Sequence, residues 1–128
     1  MRFFFYATLL QADCNAFAAW LHQRLRPGEA ARVTGRLYRV RHDVGWHKAL
    51  VVDPGGTPVA GMVYEAGDGF SGEDLASLDA YEDFDPADPE RGDYRRIEVT
   101  AQTAAGPVTA QAYVWNRPLD GLASEIAG

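Results

Sequence analysis

Glu82 is the residue whose type and position most clearly suggest chemistry. Leu75, Leu78 and Glu82 stand at positions i, i+3 and i+7, so they project from one face of a predicted helix. A carboxylate in line with the residues that dock a helix is costly to bury unless something offsets that cost. Glu82 is therefore a candidate acid/base group. The alternative is that the helix ends at Tyr81 and leaves Glu82 in solvent.

A second candidate lies where the first apolar stretch ends, at Tyr6, Ala7, Thr8 and Leu9. A strand that runs into a small residue and a threonine can expose consecutive backbone N–H groups. Such groups can hold a carboxylate or an oxyanion. The alternative is an ordinary strand end, which would carry no chemistry.

Residues 67–72 match the pattern G-x-G-x-x-G, which occurs in dinucleotide-binding folds. Glu73 and Asp74 follow directly, so carboxylates would occupy the helix N-terminus where a pyrophosphate must sit. The chain also lacks the strand–helix alternation of a doubly wound sheet. We interpret the segment as a glycine-rich loop.

The remaining candidates for nucleophile, base or metal ligand are Cys14, His22, His42 and His47. None shows ligand-like spacing, so no metal site is predicted. His22 falls on a predicted helix and is interpreted as a surface or packing histidine. The acidic stretch of residues 79–93 has no calcium-loop spacing and is interpreted as a solvated loop.

The elements that would position these residues are mostly strands. Strands are predicted at residues 3–6, 32–40, 49–52 and 59–65, followed by a hairpin of residues 94–103 and 108–115. Gly106 and Pro107 are predicted to form the hairpin turn. The continuous apolar run at residues 3–6 is typical of a strand that is covered on both faces.

Two helices accompany the strands. The first begins at a cap, Asp13 or Asn15, and carries an apolar face of Phe17, Leu21 and Leu25. The second begins at Ser71, whose spacing from Asp74 resembles a capping box. The pattern indicates an α+β class, a mixed or closed β scaffold with helices against it.

Length and composition set further bounds. The 128 residues predict a single domain, 1–128, with a weakly patterned tail at 116–128. The net charge of −6 argues against nucleic-acid binding, and no apolar run approaches the length of a membrane span. One cysteine, Cys14, cannot form an internal disulfide. The N-terminus is interpreted as a strand rather than a signal peptide, so a cytoplasmic location is predicted.

Several short motifs occur in an order and at intervals that resemble the γ-glutamyl cyclotransferase-like family. They are residues 4–9, 59–64, 78–82, 94–99 and 112–114. That family has a Tyr-Gly-Thr/Ser-Leu strand end, a mid-chain Leu-Asp-x-x-Glu helix and a later Tyr-Arg-Arg strand. The resemblance spans about residues 3–115, and its specificity comes from order and spacing.

The resemblance implies a small mixed β-barrel with flanking helices and no metal or organic cofactor. It implies that the free α-amine of a γ-glutamyl group attacks the γ-amide carbonyl. The reaction releases an amine or amino acid and leaves 5-oxoproline. Glu82 would be the catalytic acid/base, and the compact chain favours γ-glutamylamines as substrates. The implied substrate-binding residues are Tyr6, Ala7, Thr8, Leu9, Tyr94 and Tyr113.

The sequence departs from the family pattern at Ala7, where glycine is usual. If that position needs a positive φ or close backbone approach to the ligand, the methyl group narrows the pocket. Trp46 and His47 also differ, in a stretch that borders the pocket in relatives. Two alternatives remain: a non-catalytic module that binds a small carboxylate or a partner protein, and a thiol or metal hydrolase using Cys14 and the histidines. The leaving amine and the oligomeric state are not predicted.

Overall fold

The computed structural model describes residues 1–42, 45–119 and 123–126. Within these residues the chain forms seven strands and two helices. In chain order they are β1 (Arg2–Phe5), α1 (Ala16–His22), β2 (Glu29–His42), β3 (Gly45–Val52), β4 (Thr57–Glu65), α2 (Gly72–Tyr81), β5 (Tyr94–Thr103), β6 (Gly106–Trp115) and β7 (Ala123–Ile126).

Five of the strands close into a barrel, in the order β2–β4–β1–β6–β5 and back to β2. The closing contact pairs Ala31 and Arg32 of β2 with Thr103 and Gln102 of β5. The β1–β6 pair is parallel and the other pairs are antiparallel, so the barrel is mixed. The predicted α+β fold, a small mixed β-barrel with flanking helices, is confirmed.

β1 lies between the barrel interior and the helices. Phe4 and, just beyond the strand, Tyr6 belong to the core inside the barrel. Phe3 and Phe5 belong to a second core, on the outer face, which includes residues of α1 and α2. Alternate side chains of a strand point to opposite faces, so both faces of β1 are covered as its continuous apolar run predicts.

The hairpin of β5 and β6 turns two residues earlier than the sequence suggests. Thr103 pairs with Gly106, so Ala104 and Ala105 form the turn. The Thr103 hydroxyl donates to the Gly106 carbonyl at 2.8 Å and accepts from the Ala105 N–H at 3.2 Å. Gly106 has φ +120°, a backbone conformation that favours glycine. It is nevertheless the first residue of β6 and not part of the turn. The predicted turn at Gly106 and Pro107 is therefore wrong.

α1 is shorter than its apolar spacing predicts. Asn15 is the N-cap, and its side-chain oxygen accepts from the Ala18 N–H at 2.8 Å. The helix ends at His22, one turn before Leu25. Leu25 instead forms an isolated β-bridge with Ala66, which ties the chain after α1 to the end of β4.

The weakly patterned tail contains β7, which no sequence pattern predicted. β7 pairs antiparallel with residues 37–40 of β2. The same half of β2 pairs with β3, so β3 and β7 extend the sheet beyond the barrel. The residues of β7 read Ala-Ser-Glu-Ile, which does not alternate between apolar and polar side chains, so no period-2 pattern marks this strand. No helix among the described residues is long and apolar enough to cross a membrane.

The glycine-rich segment before α2 forms a helix cap. The Ser71 hydroxyl accepts from the Asp74 N–H at 3.1 Å, and the Asp74 carboxylate accepts from the Ser71 N–H at 3.0 Å. This is the predicted capping box. The Asp74 carboxylate therefore occupies the N-terminus of α2, where a pyrophosphate would have to bind in a dinucleotide-binding fold.

Replacing Ser71 by alanine is expected to lower the free energy of unfolding by about 1 kcal/mol, because the Asp74 N–H loses its acceptor. Urea denaturation followed by circular dichroism measures the change. Ser71→Asp, which restores an acceptor, is expected to recover most of the loss. Equal stability of the alanine variant and the parent would show that the cap contributes nothing.

Candidate functional site

α2 is held on the barrel by a buried carboxylate, Asp79. Its oxygens accept from the Arg96 guanidinium at 2.9 Å and from the Tyr113 hydroxyl at 2.6 Å. Arg96 also donates to the Gln111 side chain at 3.0 Å. Asp79 is 3% exposed and is the one fully buried charged residue in the described part of the chain. α2 is thereby anchored to both β5 and β6.

Sequence reasoning missed the role of Asp79, although a signal was present. Asp79 stands four residues after Leu75, and α-helical residues four apart share a face. The docking face of α2 therefore carries Asp79 beside Leu75 and Leu78. Its partner Arg96 lies 17 residues further along the chain, so only the tertiary structure shows why the carboxylate can be buried.

α2 ends at Tyr81 in a tight turn that contains Glu82. The Asp83 N–H donates to the Ala80 carbonyl at 3.1 Å, and the Phe84 N–H donates to the Asp79 carbonyl at 2.9 Å. Asp83 has φ +55°. These two bonds and the left-handed residue are those of a Schellman motif. This motif fixes the backbone around Glu82, the C-cap residue, and therefore the direction of its side chain.

The same turn is fastened to the segment before β5. The Asp83 carboxylate accepts from the Asp93 N–H at 3.0 Å. A Cβ atom on Gly92 would lie 1.6 Å from the Asp83 carbonyl oxygen, so only glycine permits this approach. The end of α2 and the start of β5 are therefore held together beside Glu82.

Glu82 is half-buried and faces a cavity rather than bulk solvent. Desolvation by burial raises its pKa from 4.5 to about 7. No hydrogen bond or ion pair to its carboxylate is found within residues 1–42, 45–119 and 123–126. The helix does end at Tyr81, as the alternative interpretation had it, but Glu82 is not left in solvent.

The cavity has a volume of about 500 Å³, within the range of small-molecule sites. It brings together residues from the end of β1, the end of α2 and strands β5 and β6. All seven predicted site residues line it: Tyr6, Ala7, Thr8, Leu9, Glu82, Tyr94 and Tyr113. The structure also adds His47, Lys48, Asp83 and Asp93, among others, to the lining.

Three of the four tyrosines that line the cavity, Tyr6, Tyr94 and Tyr113, donate their hydroxyl groups to other protein groups. Tyr6 donates to the Tyr113 carbonyl at 2.7 Å and accepts from the Leu50 N–H at 3.0 Å. Tyr94 donates to the Lys48 carbonyl at 2.9 Å, and Tyr113 donates to Asp79. Burial raises the pKa of each phenol, and the nearby Glu82 carboxylate raises all three further. They therefore remain protonated and build the cavity wall.

The loop after β1, residues 6–10, forms the wall that carries backbone N–H groups. The Ala7 carbonyl accepts from the Leu10 N–H at 3.0 Å, so the loop makes a turn. The carbonyls of residues 8, 9 and 10 accept from Asn15, His22 and Tyr64, respectively. In the described part of the structure no protein acceptor is found for the N–H of Thr8 or Leu9. Both residues line the cavity, and neither N–H group is used in a hydrogen bond to the described protein.

Ala7, in the usual glycine position, fits without strain. Among the described residues Asp83 is the only non-glycine with a positive φ, so Ala7 has ordinary backbone geometry. Ala7 packs against the core inside the barrel. The cavity exists with the methyl group in its wall, so the methyl group does not close it.

The other sequence candidates do not assemble into a second centre. Cys14 is exposed and does not line the cavity. His22 donates to the Leu9 carbonyl, and His47 lines the cavity. The His42 side chain lies outside the described residues. No group of three or more potential metal ligands occurs among the residues that the structure describes.

Comparison with known proteins agrees with this fold. A family model described as "Gamma-glutamyl cyclotransferase, AIG2-like" matches residues 3–127. A search of curated proteins found no match.

Solved structures with the same fold come from plants, bacteria and animals. A protein of Arabidopsis thaliana superposes with a TM-score of 0.65 at 20% identity, over 94% of this chain and 71% of that one. An AIG2-like protein of Mus musculus gives 0.63 at 20%, over 94% and 80%. YkqA of Bacillus subtilis gives 0.63 at 25%, over 90% of this chain and 35% of that one.

Replacing Asp79 by asparagine is expected to lower the free energy of unfolding by about 3 kcal/mol, because Arg96 loses its buried counter-charge. Urea denaturation at neutral pH measures the loss. Asp85→Asn is the control, since the Asp85–Arg91 pair is far more exposed. It is expected to change stability by less than about 0.5 kcal/mol. Similar effects of the two substitutions would contradict the anchoring role of Asp79.

The raised pKa of Glu82 has a consequence for stability. Between its unfolded pKa of 4.5 and its folded pKa of about 7, the folded state binds more protons than the unfolded state. Stability therefore falls as pH rises through this interval. Glu82→Gln removes this ionisation. As the pH rises from about 5.5 to about 8, the free energy of unfolding of the parent is expected to fall by about 1–2 kcal/mol relative to that of the variant.

Parallel urea titrations of both proteins at the two pH values measure this difference. Glu73→Gln, at an exposed position in the first turn of α2, is the control and should follow the parent at both. A parent and a Glu82→Gln variant whose stabilities stay parallel across this range would show that the pKa of Glu82 is not raised.

Proposed function

The chain belongs to the gamma-glutamyl cyclotransferase, AIG2-like family, and we propose that it releases 5-oxoproline from a γ-glutamyl amine or γ-glutamyl amino acid. One observation carries the proposal. A desolvated carboxylate with a pKa of about 7, that of Glu82, shares one cavity with the free N–H groups of Thr8 and Leu9. These are a proton carrier and an oxyanion site, the two devices that cyclisation of an amide needs.

In this proposal Glu82 moves one proton twice. Its carboxylate takes a proton from the substrate α-ammonium, and the freed amine attacks the γ-amide carbonyl carbon. The new C–N bond closes a five-membered ring, and the carbonyl electron pair moves to oxygen. As the oxyanion collapses, the bond to the leaving nitrogen breaks and Glu82 returns the proton to that nitrogen. The ring nitrogen, which became positively charged when it attacked, releases its second proton to water, which leaves the neutral lactam of 5-oxoproline. A pKa near neutrality suits a group that must both accept and donate.

The N–H groups of Thr8 and Leu9 supply the electrostatic part. They would donate to the oxyanion, whose charge appears only as the amine attacks. Loss of one such donor in other acyl-transfer enzymes costs about 100- to 1000-fold in rate. Tyr6, Tyr94 and Tyr113 shape the cavity, which holds the amine close to the carbonyl.

The finer features of the proposal follow from the residues that resemble the family. We expect γ-glutamylamines to be better substrates than γ-glutamyl amino acids. The mechanism uses no metal or organic cofactor, since Glu82 and backbone N–H groups perform each step. The proposed substrate is a small molecule rather than a nucleic acid or a membrane, and the proposed location is the cytoplasm.

Incubation with a panel of γ-glutamylamines and γ-glutamyl amino acids, with assay of 5-oxoproline, tests the activity. Glu82→Gln is expected to lower kcat by at least about 100-fold, because an amide cannot carry the proton. Glu73→Gln, on an exposed turn of the same helix, is the control and should keep parental activity. For the parent, kcat/KM should fall as pH drops below about 7, where Glu82 becomes protonated.

Two results would reject parts of this proposal. Near-normal turnover by Glu82→Gln would remove Glu82 from the mechanism. Measurable binding of 5-oxoproline without turnover of any substrate in the panel would favour a non-catalytic binding module. Ala7, which replaces the usual glycine of the family, would then be the first residue to test as the cause of the lost activity.

A further inference from the structure

We propose that His22 is a positioning residue that sets the direction of the Thr8 N–H group in the cavity. His22 lies at the end of α1, and its Nε2 is 2.8 Å from the Leu9 carbonyl oxygen. A carbonyl only accepts, so Nε2 carries the proton and donates. The inference rests on the function proposed above, in which the Thr8 and Leu9 N–H groups bind the oxyanion.

The connection from His22 to Thr8 runs through two peptide planes. A trans peptide is planar, so the carbonyl of one residue and the N–H of the next point in opposite directions. His22 holds the Leu9 carbonyl, which directs the Leu10 N–H the other way, onto the Ala7 carbonyl at 3.0 Å. That bond holds the Ala7 carbonyl, which in turn directs the Thr8 N–H away from the turn.

His22 is itself held in a fixed orientation. Its ring packs edge-on against the ring of Tyr64, with centroids 4.6 Å apart. Gly28 leaves room for that tyrosine, because a Cβ atom there would lie 2.4 Å from the Tyr64 ring. Because the His22 ring is fixed in this way, it can hold the Leu9 carbonyl in one direction more rigidly than a water molecule could.

The neighbouring donors differ in what they control. Asn15 donates to the Thr8 carbonyl at 3.5 Å, the long limit of a hydrogen bond. Tyr64 donates to the Leu10 carbonyl, whose peptide plane carries the Gln11 N–H. Gln11 does not line the cavity. Tyr64 therefore anchors the same loop without orienting either N–H group of the proposed oxyanion site, which makes it the matched control.

The experiment compares His22→Leu, His22→Gln and Tyr64→Phe in the whole chain. His22→Leu is expected to lower kcat for 5-oxoproline release by about 10- to 100-fold and to change KM by less than about threefold, because the oxyanion forms only after binding. A glutamine side-chain amide can reach the position of Nε2, so His22→Gln should recover kcat to within about threefold of the parent. Tyr64→Phe should keep the parental kcat.

Hydrogen exchange gives a readout that does not need turnover. The Leu10 amide is expected to lose protection in His22→Leu and to regain it in His22→Gln, while amides of the barrel strands stay unchanged. If the parent makes no 5-oxoproline, the proposed function fails, and the exchange data still decide whether His22 holds the turn. Should His22→Leu not fold, His22→Asn, whose amide is too short to reach Leu9, takes its place.

Three results would overturn the proposal. The first is parental kcat in a folded His22→Leu variant. The second is an equal fall in kcat for His22→Leu and Tyr64→Phe, which would indicate general loosening of the loop. The third is unchanged Leu10 protection in His22→Leu.

Discussion

The site depends on the burial of one carboxylate, that of Asp79. An ionised side chain can lie in a protein interior only if its charge and hydrogen-bonding capacity are satisfied there. Arg96 of β5 and Tyr113 of β6 meet this requirement, and they do so from the barrel side of α2. Because Asp79 is held, the turn that follows it is held too, and Glu82 three residues later has a defined position over the cavity.

The carboxylates of Asp79, in α2, and of Glu82, the C-cap residue of α2, have opposite environments. Asp79 has a guanidinium and a phenol as partners, whereas the desolvated Glu82 carboxylate has no partner among the described residues and a raised pKa. The hydroxyl groups of Tyr6, Tyr94 and Tyr113 and the carbonyls of residues 7–10 are also taken up by protein partners. The Glu82 carboxylate and the Thr8 and Leu9 N–H groups have no such partner among the described residues, and in the proposed function they are in place before a substrate arrives. Preorganised groups of this kind need not rearrange during a reaction.

Local sequence rules worked where the cause of structure is local. The Ser71–Asp74 cap and the two-faced β1 depend on contacts within a few residues or on simple alternation, and both were predicted. The rules failed where another part of the chain decides. The turn at Ala104 and Ala105 follows from β5–β6 register, and β7 is a strand because β2 offers an edge. α1 stops at His22 although its apolar spacing continues to Leu25, which pairs with Ala66 instead.

For the site, the sequence alone determined which residues to consider. Three features of the sequence marked seven of the fourteen residues that line the cavity: the helical spacing of Leu75, Leu78 and Glu82, the small residues after the first strand, and the order of the motifs that resemble the family. Only the tertiary structure decided their environments. Desolvation, which raises the pKa of Glu82, is the combined effect of groups from distant segments. The carbonyl partners of the loop after β1, His22 among them, come from α1 and β4. Spacing along a chain specifies a face, but burial and hydrogen-bond partners exist only once the faces meet.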